Sequence, residues 1–434
     1  MEPGFVFVVM FSSLLLLILL RVPVSFALAF AVVPILMFTP NVTPIMLLQR
    51  MMNQFGSFIL LAIPFFILAA NIMNTAGITD QLMRFAQSLV GFMPGGLGHI
   101  NVLVSMIFAG ISGSSNADAA GIGSVIIPAM EKEGYDTNFT VAVTACSSVM
   151  GVIIPPSITM VVWGGTMNVS VAALFVAGVI PGVLIGVGQM FVVYAYAKKR
   201  NYPRDEAFSL SRVWAAFKSS IIALLSPLLI IGGIVGGFVT PTEASLIAVV
   251  YSLLVGVFIF RTVSVKNFAL LLVDAMKLSA IVLFAVGTAA IYSWVLSYYK
   301  VPGYLVNTMA SLTTSPTVML MLIVLVFLIT GMFIDAVPAI IIFGPLLRPL
   351  ADSVGIHPIQ FALIGCVTLA YGLVTPPYGL CLLITSQIAK INCMTPLKEV
   401  CVFLLAMLVV LSLMVFVPDV TLGLPKIFMP SLFQ

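Results

Sequence analysis

Successive apolar runs, several of them near 20 residues long, limit this chain more than any other feature. A helix needs about 20 such residues to cross the hydrocarbon core of a bilayer. Lipid offers no partner to bare backbone groups, so segments like these are stable as helices with their hydrogen bonds made internally. The shorter, alternating segments of a membrane β-barrel are missing. Only 7% of the 434 residues are charged and 62% are hydrophobic, against about 25% charged in a soluble domain. The expectation is an all-α polytopic membrane protein. The start, MEPGFVFVVMFSSLLLLILLR, has no basic region ahead of its apolar run, so it reads as a retained first span with the N-terminus outside.

The basic residues order the spans. The stretch 197–212, AKKRNYPRDEAFSLSR, divides the chain nearly in half and reads as a cytoplasmic connecting loop. Spans are expected near 5–20, 22–39, 57–75, 139–163 and 170–196 before it, and near 219–238, 243–260, 279–297, 359–388 and 399–417 after it. Residues 43–54 read as an interfacial arm, 78–98 as a cytoplasmic surface helix, and 261–277 and 390–398 as further cytoplasmic basic segments. Five spans per half place the halves in opposite orientation. The segments 100–130 and 317–350 are apolar but interrupted midway, and a single crossing by either would break the charge assignment. Both are therefore expected to be re-entrant hairpins, from the cytoplasm and from outside respectively. The division is a first repeat, 1–196, and a second, 213–434.

The halves also match directly. A shift of 221 residues places Gly110 on Gly331, Gly123 on Gly344, Pro128 on Pro349 and Gly134 on Gly355. It places Gly151, Pro155 and Pro156 on Gly372, Pro376 and Pro377. Glycine and proline shape the backbone, so the coincidence concerns conformation. Inverted repeats with interrupted helices at matching positions mark secondary transporters that bind at the repeat interface.

Four breaks concentrate the polar residues. Two are hairpin tips: Ser112, Gly113, Ser114, Ser115, Asn116 and Asp118 in the first half, and Gly331, Asp335 and Pro338 in the second. The others are GVIIPPS (151–157) and GLVTPPY (372–378), where a Pro-Pro pair removes two amide donors and opens the helix before it. The carbonyls of 151–154 and 372–375 are expected to lose their helical partners. With Ser, Thr, Asn and a carboxylate they suit a hard cation such as Na⁺, and half-helix N-termini suit an anionic substrate group. Any single serine fits close helix packing equally well. Of the 14 acidic residues, 11 fall in expected loops or interfacial segments, including Asp205, Glu206, Asp274 and Glu399. Glu243 reads as a helix-start residue. Asp118 and Asp335 remain at membrane depth, where a carboxylate costs on the order of 2.5–3.5 kcal/mol and is functional by default. Trp163 and Trp294 read as outer interfacial anchors. The five cysteines and two histidines show no metal-ligand spacing, and no nucleophile–base pair or nucleotide-binding loop is present. The chain is thus not expected to be an enzyme or to bind nucleic acid, and its energy source is expected to be an ion gradient.

LLAIPFFILAANIMNTAGI (60–78), GISGSSNADAAGIGSVIIPAM (110–130), GVIIPPS, GGFVTPTEAS (236–245) and GLVTPPYG (372–379) together resemble the large membrane subunit of tripartite ATP-independent periplasmic (TRAP) transporters. The resemblance implies an elevator-type secondary transporter of the bacterial inner membrane, with an ion-transporter-superfamily fold. It imports an organic anion, such as a C4-dicarboxylate or sialic acid, with two or more Na⁺. It also implies two partners, a small four-helix membrane subunit and a soluble periplasmic substrate-binding protein, and an unfused form of the large subunit. Carried over, Ser112, Ser114, Asn116 and Asp118, with Gly151, Ile154 and Pro155 opposite, form the first ion region. Gly331, Asp335, Gly372 and Thr375 form the second. Substrate contacts are expected from Ser114, Ser115, Asp118, Pro156, Ser157, Asp335 and Pro377. The second tip, GMFIDAVPA, lacks the Ser/Asn cluster of the first, so its ion region leans on Asp335, Thr375 and carbonyls. The alternative is a stand-alone Na⁺-coupled carboxylate transporter of the same superfamily, working without a binding protein.

Overall fold

The structure, a computed structural model, describes all residues except 40, 205, 206, 311, 312 and 434. Asp205 and Glu206 of the connecting loop thus lie outside the described residues. Every regular element among those described is a helix. Seven helices are long and apolar enough to cross a membrane, and several shorter apolar ones accompany them.

In the first half, α1 (Pro3–Leu19), α2 (Val24–Ala31) and α3 (Val33–Leu36) lead to α4 (Pro44–Phe55). Next come α5 (Ala62–Thr75) and α6 (Ile78–Val90). One break separates α7 (Gly96–Ser112) from α8 (Ser115–Lys132), and another separates α9 (Thr137–Ser148) from α10 (Ile158–Met167). The half closes with α11 (Val171–Arg200). In the second half, α12 (Leu210–Val235) and α13 (Pro241–Leu254) precede α14 (Val265–Tyr298) and α15 (Val301–Ala310). Breaks then separate α16 (Pro316–Gly331) from α17 (Ala336–Ser353), and α18 (Pro358–Gly372) from α19 (Leu380–Ile388). The chain ends with α20 (Leu397–Phe416) and α21 (Asp419–Phe428).

Local chemistry sets these boundaries. Ser114, Asp136 and Ser157 cap α8, α9 and α10 by accepting backbone N–H bonds, as N-cap residues do. Thr240 and Glu243 form a capping box at α13, the helix-start role expected of Glu243. α17 starts 221 residues after α8 (336 against 115) and α18 the same distance after α9 (358 against 137). Gly134 and Gly355, also 221 apart, both turn the chain at positive φ, +83° and +75°. The Pro155–Pro156 and Pro376–Pro377 peptide bonds are both cis.

Four expectations need correction. Helix α11 runs to Arg200 and α12 begins at Leu210, so the loop between them is 201–209 and not 197–212. The basic stretch 261–277 is largely helical: α14 begins at Val265 and runs for 34 residues without interruption. Asp274 and Lys277 face solvent on it, 3.4 Å apart. Trp163 is fully buried and packs against Phe327 and Phe361, so it is a core residue and not an interfacial anchor. Glu399 is also buried, at the start of α20, where Arg200 pairs with it at 2.9 Å.

Lys and Arg fall unevenly between the two ends of the bundle. Following the helix directions, Arg50, Lys300, Arg348 and Lys426 lie at one end and the other 14 of 18 at the opposite end. The positive-inside tendency makes the crowded end cytoplasmic.

Candidate functional site

The break between α7 and α8 and the break between α16 and α17 open on one cavity of about 470 Å³. Ser112, Ser114, Ser115 and Asn116 line it from the first break, and Asp335, Ala336 and Val337 from the second. Two residues 220 apart in the chain, Ser115 and Asp335, thereby share a wall.

The first tip is clamped from below. Helix α7 ends at Gly113 with φ +63°, a conformation glycine takes without steric cost. A Cβ there would lie 2.9 Å from the Pro156 carbonyl oxygen. The Gly113 carbonyl accepts the Ile158 N–H at 3.2 Å, and the Ser115 hydroxyl donates to the Val149 carbonyl at 3.1 Å. Beneath the wall lies Asp118, fully buried. The Ser112 hydroxyl donates to its Oδ1, while no donor among the described residues reaches Oδ2. A Cβ on Gly151 would lie 2.5 Å from that Oδ2 and 2.9 Å from the Ser114–Ser115 peptide. An ionised carboxylate buried with one oxygen unpaired is expensive, and a proton or a cation removes that cost.

The second tip is plainer. Asp335 accepts the Ala336 N–H at 2.8 Å through Oδ1, so it caps α17 and faces the cavity at once. Gly331 and Gly372 pack backbone to backbone, and a Cβ on Gly372 would overlap the Gly331 carbonyl.

The expected open carbonyls are only partly found. The Val152 carbonyl accepts from the Ser157 and Thr159 hydroxyls at 2.7 and 3.2 Å. Gly372 accepts from Thr375 N–H at 3.1 Å, and Leu373 from Cys381 N–H at 2.9 Å. Local donors thus refill what the prolines vacate. The Thr375 hydroxyl donates to the Tyr371 carbonyl at 2.7 Å. Ile154 packs on Gly182. Ile154, Pro155, Pro156, Ser157, Gly331, Gly372, Thr375 and Pro377 are absent from the cavity wall, which Val152, Thr159 and Leu373 line in their neighbourhood.

The opposite wall consists of residues that sequence reasoning missed: Asn71 and Asn74 of α5, and Leu278, Ile281 and Val282 of α14. The signal for the asparagines was their spacing, one turn apart in an apolar helix. The Asn74 amide lies over Gly121 of α8, where a Cβ would sit 3.4 Å from Nδ2. Asn71, Asn74, Leu278 and Ile281 also line a second cavity of about 590 Å³ reaching Asp274 and Lys277. The central cavity thus opens toward the cytoplasmic end.

A bundle of apolar helices around a polar central cavity between helix breaks defines a membrane transporter fold. In keeping with this, the chain aligns with Neisseria gonorrhoeae MtrF, from a class of antimetabolite efflux pumps, at a TM-score of 0.59. The identity is 14%, and 86% of this chain and 84% of that one are covered, a likeness of fold. Residues 11–420 match the family described as tripartite ATP-independent periplasmic transporter, DctM component, and the chain belongs to that family. It is 35% identical to the sialic acid TRAP transporter large permease protein SiaM of Vibrio cholerae, over 94% of this chain and 95% of the relative. It is 34% identical to the C4-dicarboxylate TRAP transporter large permease protein DctM of Vibrio cholerae, over 95% of this chain and 96% of the relative. It is accordingly a multi-pass protein of the inner membrane and the large membrane component of a three-part transporter.

Proposed function

We propose that the chain imports an organic anion, a carboxylate or sugar acid of the kind named for its relatives, in exchange for the energy of a Na⁺ gradient. The observation that carries this reading is the sharing of one cavity by both tips. Helices α8 and α17 both begin at that cavity, and their N-terminal N–H groups favour negative charge there. Na⁺ is cargo bound beside the substrate. In the first region Asp118 Oδ2, Ser112, Ser114, Asn116 and the Gly151 and Ile154 carbonyls are its ligands; in the second, Asp335, Thr375 and the backbone at Gly331 and Gly372. Hard oxygen donors of this kind suit an alkali cation.

The two halves act as inverted repeats, 1–196 and 213–434, each with a re-entrant hairpin and a broken helix. The matching 221-residue offsets of α8 with α17 and α9 with α18 support that division. The hairpins and broken helices move as a block along the wall formed by α5 and α14. A soluble binding protein delivers substrate on the outer face, and a small membrane subunit braces the wall.

Proteoliposomes carrying the complete three-part assembly test the reading, with labelled N-acetylneuraminate and succinate as trial substrates. Asp118→Asn and Asp335→Asn are expected to weaken the Na⁺ dependence of uptake at least tenfold while the protein still folds. Unaltered Na⁺ dependence in both variants sinks the ion assignment.

A further inference from the structure

At the outer end, between α4 and α14 of the wall and α10 and α17 of the moving block, lies a separate cavity of about 330 Å³. Arg50, Asn53 and Gln54 of α4 and Ser293 and Ser297 of α14 give it five polar side chains, and no carboxylate lines it. Of the four basic residues at this end, Arg348 pairs with Asp352 at 3.5 Å and Lys426 with Asp419 at 2.7 Å. Arg50 has no carboxylate partner among the described residues; its guanidinium lies over the Trp294 ring, 5.4 Å from the centroid. That contact fixes the cation in place and leaves its hydrogen-bond donors directed elsewhere.

The outer and central cavities are stacked on the same two helices. On α14, Leu278 and Val282 face the central cavity and Val286, Ala290, Ser293 and Ser297 the outer one, all at spacings of three or four. On α17, Asp335 and Val337 belong to the central cavity and Ile341 and Pro345 to the outer. About one helical turn separates them, roughly 6 Å along each axis, and buried Val286 and Ile341 fill it. Gln54 holds this end shut by donating to the Gly165 carbonyl at the end of α10 at 3.4 Å.

We infer that the cavity around Arg50 is an anion-capture site: it binds the carboxylate of the incoming substrate at the outer face before the hairpin tips rise to take it. The guanidinium offers a paired donor edge matched to a carboxylate, and the neighbouring amides and hydroxyls take the remaining oxygens. The inference rests on the transport reading above for its direction, and on Arg50 for its chemistry.

Trp294 is a built-in reporter. In a Trp214→Phe background, Trp163 is fully buried and Trp294 remains as the tryptophan a solute can reach. With the full-length protein in nanodiscs, iodide is expected to quench Trp294 at least twofold less in Arg50→Gln and in Ser297→Asp than in the parent. Arg50→Lys is expected to retain quenching, and neutral acrylamide to quench all four alike. Succinate, and not mannitol at equal osmolarity, is expected to protect the parent from iodide. Equal iodide quenching in the parent, Arg50→Gln and Ser297→Asp, or equal protection by mannitol, overturns the capture site. Failure of Na⁺-driven uptake with the iodide pattern intact overturns the transport reading alone.

Discussion

Replacing Gly151 with alanine places a methyl group 2.5 Å from Asp118 Oδ2 and 2.9 Å from the Ser114–Ser115 peptide. Ordinary contact begins at 3.4 Å, so the carboxylate must retreat by roughly 0.9 Å or the tip must lift by a similar amount. Neither neighbour is a flexible chain end: Asp118 is fully buried, and the other contact is backbone. Overpacking of this kind costs about 1–3 kcal/mol. A Na⁺ ligand displaced by that distance no longer coordinates, since hard cations hold oxygens within a few tenths of an ångström. The expected result is a loss of at least tenfold in apparent Na⁺ affinity, which is about 1.4 kcal/mol, read from the NaCl dependence of thermal stability against choline chloride. Gly134→Ala is the control. Its φ is +83° with nothing within 4 Å, so it costs a comparable 1–2 kcal/mol, roughly, through backbone strain alone. The reasoning fails if Gly151→Ala keeps wild-type Na⁺ affinity, or if Gly134→Ala loses as much.

Arg200→Gln leaves buried Glu399 without its 2.9 Å partner. Because Arg200 is a third exposed, the loss is expected to be about 1–3 kcal/mol, and Glu399→Gln added to it should recover at least half in a melting experiment. Trp163→Ala empties a fully buried site flanked by Phe327, Phe361 and Gly365, and should lower stability by about 3–5 kcal/mol. Asn74→Leu, on the fixed wall over Gly121, should raise the apparent KM for uptake with Na⁺ dependence preserved; an altered Na⁺ dependence with unaltered KM contradicts its placement. His357 caps α18 through Nδ1 and stacks on Phe433. Burial, aided by the charge of Lys426, holds its pKa below the usual 6.5. The unfolded chain then binds more protons, so stability should fall as pH drops below 6.5, and His357→Asn should flatten that decline in melts between pH 7.5 and 5.5.

Much of this architecture is written in glycine and proline, whose backbone constraints are local and so legible in a single chain. The hairpin breaks, the interrupted helices and the equivalence of Gly134 with Gly355 are of this kind. Contacts between distant elements were not legible. Trp163 read as an interfacial residue from its place near the end of an apolar run, and only α16 and α18 closing over it make it core. The charges at 261–277 suggested a loop, yet α14 simply extends beyond the membrane and carries Asp274 and Lys277 on its solvated turns. Loss of helical carbonyl partners before each Pro-Pro pair was deduced correctly in kind, but Ser157 and Thr159 were near enough to replace them at Val152. The fixed wall of the cavity was missed because the direction a side chain faces depends on packing that spacing alone does not specify.

The central claim is that the orphan oxygen of Asp118 belongs to a Na⁺ site. Equilibrium binding of ²²Na⁺ to the purified full-length protein, compared with Asp118→Asn, tests it without knowledge of the substrate. The account predicts saturable binding that weakens at least tenfold in the variant. Equal binding by both proteins, or no saturable binding by the wild type, contradicts it.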